Sequence, residues 1–288
     1  CKEPTFSNNR CFVSPIVGCT GQCLYCYLAI NGYREPSPNL YGISKTISFL
    51  EQHKDFVSGT SGTIISIGAW GDLFPPNSSL REYSIDWIKK LLKLGNPVQV
   101  MSKNKLTEAE IEEIVTSIVY PNQLLYSTTI VTFEYSTVVE RGVSSPKNRI
   151  NMLERFSERG VPTNIMIKPF IPGITDVENF IKYICPIKVP YCVVGKLYLD
   201  DNIFDNLQKV PIVKNIIEKT NFNDVGQKEL RTFADSAINA FISRLQESHI
   251  QVFKKSSCVS SNILGVENKS MKTYLANGCC MQCGNCSL

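Results

Sequence analysis

An α/β chain folded as an open, partial (β/α)6 barrel of the TIM type, with a small cysteine-rich C-terminal extension, is what this sequence predicts. Short apolar runs alternate with longer amphipathic segments through most of its 288 residues. That alternation calls for a parallel sheet with right-handed helical crossovers. It repeats six times, which suits an open barrel better than a closed eight-fold one. Residues 255–288 break the pattern: rich in Ser, Asn, Gly and Cys, they read as irregular chain that needs a metal to hold it.

The first strand is expected over residues 11–17 and runs into a cysteine-bearing loop. Apolar residues at three- and four-residue intervals predict a helix over 45–56. Strands at 63–69, 98–101, 124–131, 164–170 and 191–197 then alternate with helices at 80–94, 107–118, 147–159 and 177–184. Thr107 followed by Glu110 reads as a capping box, and Gly95 and Gly160 stand where helices end on glycine. A helix over 229–248 and a strand-like run at 250–253 follow. The expected organisation is a partial barrel over residues 1–200, C-terminal helices completing or flanking it over 201–254, and the extension with an auxiliary cluster over 255–288.

A hydrophobic share of 43% and a charged share of 19% suit a globular protein. The formal net charge of +4 is too small to argue by itself for nucleic acid, because the basic residues come as short pairs such as Lys89-Lys90 and Lys254-Lys255. No stretch approaches the roughly 18 consecutive apolar residues of a membrane span, and the first residues lack a secretory signal pattern. A cytoplasmic protein without a membrane partner is expected. Position 1 is Cys rather than Met, from which a longer native chain is expected.

Twelve cysteines against two histidines form the strongest compositional signal. Tight spacings favour metal ligation, since neighbouring thiolates converge easily while short disulfide loops are strained. Cys19, Cys23 and Cys26 follow the first strand, at the end where barrel enzymes keep their chemistry. Three thiolates so spaced can ligate three irons of a 4Fe–4S cubane and leave the fourth iron open to react. Such a cluster delivers a low-potential electron, which redox-inert zinc cannot; a zinc knuckle or loose surface thiols are the rival readings. At the other end, Cys280, Cys283 and Cys286 share the two-residue spacing of ferredoxin-type loops, and Cys258 or Cys279 would complete a four-ligand set. A second 4Fe–4S cluster is the preferred reading there, with a structural zinc held by four cysteines left open. Cys185 and Cys192 carry no motif and are expected in the core.

The segment Cys19-Thr20-Gly21-Gln22-Cys23-Leu24-Tyr25-Cys26 resembles the cluster motif of the radical S-adenosylmethionine (SAM) superfamily, and the repeats resemble that superfamily's partial barrel over residues 1–200. Three further stretches resemble the spore photoproduct lyase group and its relatives: Cys23-Leu24-Tyr25-Cys26-Tyr27-Leu28, Gly71-Asp72 with Phe74-Pro75-Pro76, and Ile171-Pro172-Gly173-Ile174-Thr175-Asp176. The resemblance implies that the amino and carboxylate groups of SAM chelate the open iron. It implies adenine contacts at the Tyr25 backbone and Ile167, amino-group contacts at Gly68 and Ala69, carboxylate contacts at Ser102 and Lys103, and ribose contacts at Ser127 and Thr129. Tyr25 and Tyr27 match the two tyrosines flanking the last cluster cysteine and are candidates to relay a hydrogen atom. Asp72, Glu134 and the Pro172-Gly173 loop are expected to border the substrate. One departure stands out: Ala69 and Trp70 precede Asp72 where the lyases proper carry a hydrogen-donating cysteine, which argues against the same repair chemistry.

The expected activity is reductive cleavage of SAM to a 5′-deoxyadenosyl radical that abstracts hydrogen from a peptide or small metabolite, with electrons from a flavodoxin or ferredoxin. A nucleic-acid lesion lyase is a second reading. An iron–sulfur sensor or electron carrier without catalysis is a third, and it implies no SAM binding.

Overall fold

The computed structural model describes residues 1–7, 9–187, 189, 191–220, 222–224 and 231–268. Cys279, Cys280, Cys283 and Cys286 therefore lie outside the described residues. The centre is an eight-stranded sheet in which neighbours follow chain order: β1 (Thr5–Ser7), β2 (Arg10–Val13), β3 (Ile64–Ile67), β4 (Val98–Met101), β5 (Leu124–Thr129), β6 (Thr163–Phe170), β7 (Tyr191–Lys196) and β8 (Gln251–Phe253). β1 folds back antiparallel onto β2, and every later pair is parallel. The helices are α1 (Ile43–Gln52), α2 (Ser78–Leu92), α3 (Glu108–Val115), α4 (Pro146–Glu158), α5 (Val177–Ile184), α6 (Asp201–Gln208), α7 (Pro211–Ile217), α8 (Asp235–Glu247) and α9 (Ser256–Leu264). Single helical turns at Tyr27–Ile30 and Ser136–Val139 belong to loops. No helix among the described residues is long and apolar enough to cross a membrane.

The expected strands all appear, with the strand-like run at 250–253 as the edge strand β8, and the sheet gains β1 at its other edge. The first expected strand is divided. β2 stops at Val13, because Pro15 offers no N–H to a ladder, and Ile16–Val17 pairs instead with Ser37–Pro38. The helix expected over 229–248 begins only at Asp235, since Arg231–Phe233 pairs as a strand with Phe222–Asp224. Helix boundaries elsewhere follow their caps. Thr107 Oγ1 accepts from Glu110 N at 3.3 Å while Glu110 Oε2 accepts from Thr107 N at 2.7 Å, so the capping box is formed. Cys192 is buried as expected, whereas Cys185 sits exposed at a 3-10 turn.

Alternate residues of a strand face opposite sides, and here the two sides differ in chemistry. On the helix side, Ile65, Ile67, Val98, Val100, Tyr126, Ile165 and Val194 join Trp87, Leu91, Ile111, Phe156 and Phe180 of the helices in one apolar cluster. On the inner side, Ser66, Gln99, Ser127 and Asn164 are fully buried. They bond to one another across the sheet: Ser66 Oγ donates to Gln99 Oε1 at 3.2 Å, Gln99 Nε2 to Ser127 Oγ at 2.9 Å, and Ser127 Oγ to Asn164 Oδ1 at 2.5 Å.

Residues 256–264 are not irregular chain: α9 lies against this inner face. Its Val259 packs with Met166, Val193 and Phe253, and its Leu264 with Ile64 and Leu125. Ser260 Oγ donates to Gln99 Oε1 at 3.0 Å. Asn9 Nδ2 donates to Ser261 Oγ at 3.2 Å and to Glu267 O at 2.6 Å, which stitches the β1–β2 turn to the far end of the described chain. The helix is polar on one side because the wall it fills is polar.

Candidate active site

The cysteine loop leaves the barrel at the C-terminal end of β2 and is tied down on both sides by backbone bonds. Gly18 N donates to Trp70 O at 2.9 Å and Cys19 N to Tyr33 O at 3.0 Å. From the stretch beyond β5, Leu24 N donates to Val139 O and Gly142 N to Gly21 O, each at 3.0 Å. Glycine is needed at this seam: a Cβ on Gly142 would stand 2.0 Å from Thr20 O, and one on Gly21 would meet Cys19 Sγ at 3.0 Å and Cys23 Sγ at 3.7 Å. Gly21 therefore leaves open the space beside two of the three thiols, and its amide donates to Cys19 Sγ at 3.2 Å.

Behind the loop lies a buried ionic network. Glu140 Oε2 meets Arg149 Nη1 at 2.8 Å and Glu140 Oε1 meets Lys103 Nζ at 3.0 Å, with the carboxylate and the guanidinium almost wholly buried. Tyr25 Oη donates to Glu140 Oε1 at 2.5 Å and also bonds Lys103 Nζ. The ammonium of Lys103 is 3.5 Å from Cys23 Sγ. Burial alone would raise the Glu140 carboxyl, but Lys103 and Arg149 outweigh it and hold the group at about 2. Burial would likewise lower Lys103, but Cys23 and Glu140 hold it protonated above its ordinary range. Burial and the Glu140 charge push Tyr25 well up, so it stays a phenol.

Asp72 organises the neighbouring rim. Its Oδ1 accepts from Ser102 Oγ at 2.7 Å and from Phe74 N at 3.1 Å, and its Oδ2 accepts from Lys103 N at 2.7 Å. One carboxylate thus fixes the turns after β3 and β4. Gly68 adopts φ +109, and a Cβ there would stand 2.7 Å from Met101 O. Ala69 O accepts from Tyr27 Oη at 3.1 Å, and the Tyr27 ring meets Trp70 edge-on.

The residues singled out from the sequence separate into three groups. Cys19, Cys23, Tyr25, Asp72, Ser102 and Lys103 are linked by the contacts above, with Cys26, Tyr27, Gly68 and Ala69 beside them. Ser127 and Thr129 lie on the inner face of β5; Ser127 is held by Gln99 and Asn164, and Thr129 O accepts from Arg149 Nη1 at 2.5 Å. Ile167 and Glu134 stand apart. Ile167 packs into the helix-side cluster, on the opposite face of β6 from Met166, because the strand's period of two turns it outward. Glu134 is exposed and accepts a hydrogen bond from Tyr135. Cys258 lies in α9, with Asn268 Nδ2 at 3.2 Å from its Sγ.

Glu140 and Arg149 were not among the sequence candidates. Arg149 carried a signal. It shares the i, i+3, i+4, i+7 face of α4 with Met152, Leu153 and Phe156, and a charge on an apolar helix face demands a buried partner.

The donor set suits an iron–sulfur cluster. Burial, aided by the Asp72 charge, pushes the Cys19 thiol up to about 11, and burial raises Cys23 as well; a bound cation removes that penalty by deprotonating coordinated thiols. Among the described residues, no three His, Cys, Asp or Glu side chains converge as the ligands of one ion do. Ligands of a cubane each take a different iron and stand farther apart.

No family model matches this chain, and no curated protein matches its sequence. Solved structures do. Spore photoproduct lyase complexed with dinucleoside spore photoproduct aligns at a TM-score of 0.55 and 9% identity, over 81% of this chain and 70% of that one. A mutant of the same lyase with bound AdoMet and the dinucleoside product aligns at 0.56 and 9%, over 83% and 72%. Streptococcus suis SuiB bound to S-adenosylmethionine aligns at 0.51 and 14%, over 72% of this chain and 46% of that one. The fold is therefore the partial barrel of the radical SAM enzymes. That fold is similar to the one of spore photoproduct lyase.

Proposed function

We propose that the chain is a radical SAM enzyme whose Cys19, Cys23 and Cys26 hold a 4Fe–4S cluster. The observation that carries this reading is the three-cysteine loop at the C-terminal end of β2, clamped by backbone bonds with Gly21 clearing space between two thiols, on a barrel similar to structures that bind SAM. When bound, the cluster supplies the electron that cleaves SAM to a 5′-deoxyadenosyl radical, which takes hydrogen from the substrate. The chain's own residues orient and charge this site. Asp72 holds Ser102 and the Lys103 amide on the rim, Gly68 lets the backbone pass close to Met101 O, and Tyr27 stands beside them with its hydroxyl on Ala69 O. Lys103 places a permanent positive charge beside Cys23, which favours an anionic ligand set.

Cys258 and the four C-terminal cysteines are proposed as the source of a second cubane, with zinc as the alternative. A peptide or small metabolite is the proposed substrate class. The likeness to a lyase complexed with a dinucleoside supports lesion cleavage as a second reading, although Ala69 and Trp70 supply no thiol ahead of Asp72.

The test is direct. Anaerobically reconstituted protein with dithionite should convert SAM to 5′-deoxyadenosine, and exchange of Cys19, Cys23 and Cys26 for Ala should abolish it. Wild-type protein should carry about eight irons and the triple variant about half of them. About four irons with one zinc would replace the second cubane by a structural zinc, while turnover persisting in the triple variant would end the radical SAM reading.

A further inference from the structure

A cavity of about 380 Å³ opens between the β1–β2 hairpin, β6, β7, α8 and the turn from β8 into α9, at the unclosed side of the barrel. Its wall gathers Arg10, Lys168, Lys196, Lys254 and Lys255, with Asp235 as the one carboxylate. The excess of four positive charges there equals the formal net charge of the whole chain. Residues that look scattered in sequence are thus concentrated by the fold.

Among the described residues, Asp235 is taken by Lys196 at 2.6 Å, and Lys254 Nζ meets the neutral Asn239 Oδ1 at 3.4 Å. Arg10 is 8% exposed. Its Nη1 and Nη2 make long bonds to neutral oxygens, Gln99 Oε1 at 3.4 Å and Ser256 Oγ at 3.3 Å, and its buried Nε has no partner among the described residues. A buried cation left this way is costly until an anion completes it. The stem of Lys168 runs over Gly195, where a Cβ would stand 2.6 Å from Lys168 Cε, so glycine there admits the ammonium to the cavity. Desolvation by the walls, with the Arg10 and Lys255 charges, lowers the pKa of Lys168, whose head is open to the cavity. Helix α9 begins at the same wall with Ser256 and Ser257. Among the described residues no side-chain cap bond closes this helix and its first turn holds no acidic residue, so its positive end adds to the charge of the wall.

We propose that this cavity binds a phosphate group carried by an organic phosphoester. A guanidinium fork, several ammonium groups and a helix N-terminus match a dianion with three or more acceptor oxygens better than a carboxylate with two. This binding is independent of SAM chemistry.

The experiment uses the full, metal-loaded chain kept anaerobic, with inorganic phosphate and glycerol phosphate titrated by calorimetry at constant ionic strength. One saturable site is expected, tighter for the ester than for the bare ion. Lys168→Glu and Lys254→Glu should each weaken it by about tenfold or more, the worth of one charge-assisted contact, with circular dichroism confirming that both variants are folded. Lys89→Glu, on α2 and paired with Glu113, should bind as wild type does. Absence of a saturable site, or equal affinity in wild type and both cavity variants, would overturn the proposal. Acetate binding as tightly as phosphate would overturn the choice of phosphate, and tighter binding of the bare ion would overturn the phosphoester. Neither SAM nor turnover enters, so failed SAM cleavage leaves this result standing and failed phosphate binding leaves the radical reading standing.

Discussion

The cysteine loop and the open side of the barrel solve opposite electrostatic problems with similar residues. Behind the loop, Lys103 and Arg149 are buried against one carboxylate, Glu140, and Tyr25 fills its remaining lone pair. In the cavity, Arg10 and Lys168 have no such carboxylate among the described residues. The first region is internally complete and therefore rigid, while the second keeps donors in reserve. A satisfied buried charge network rigidifies its surroundings, and an unsatisfied one carries a cost that a ligand can relieve.

This contrast can be broken by substitution. Glu140→Gln should be the most damaging change, because it strands the buried Arg149 and takes the carboxylate from the half-buried Lys103; breaking a buried pair costs about 3–5 kcal/mol. Urea unfolding would measure it, and a loss below about 1 kcal/mol would mean the network is not the anchor described above. A smaller effect should follow acidification. Glu140 is held at about 2, below the ordinary carboxyl value of 4.5, so its contribution is present at neutral pH and is lost as pH falls from 4.5 towards 2. The unfolding midpoint of wild type should therefore drop more steeply through that window than that of Glu140→Gln, and parallel curves would remove Glu140 as the cause. Lys168→Met should do least. With no described carboxylate to strand and like-charge repulsion relieved, its stability should change by no more than about 0.5 kcal/mol in either direction, whereas a loss of about 2 kcal/mol would reveal a structural role for Lys168.

The barrel was legible because periodicity is local. Val98–Met101 and Val177–Ile184 fall where the pattern puts them, and the Thr107/Glu110 cap is written in four consecutive residues. The cysteine motif was legible for the same reason. What escaped was non-local. Glu140 comes from the loop after β5, Lys103 from the turn after β4 and Arg149 from inside α4, and nothing in one stretch announces that the three meet. Helix α9 escaped for a different reason: Ser256, Ser257, Ser260 and Ser261 look like loop composition, yet Ser256 and Ser260 bond Arg10 and Gln99 at the sheet's inner face. Its polarity matches a buried polar surface instead of solvent. The facing of Ile167 was not legible either, because a sequence period gives it only once one neighbour's register is known.

The stitching of Asn9 to Ser261 and Glu267 has a consequence for how the molecule comes to exist. Residues some 252 and 258 positions apart complete each other's hydrogen bonds, and Gln99 waits on Ser260 in the same way. The early strands can pair as they leave the ribosome, but the inner wall keeps bare polar atoms until the helix at 256–264 has been made. Late closure of so long a loop carries a high entropic barrier. The polar inner wall is therefore sealed by a helix that lies more than 250 residues from the hairpin it bonds.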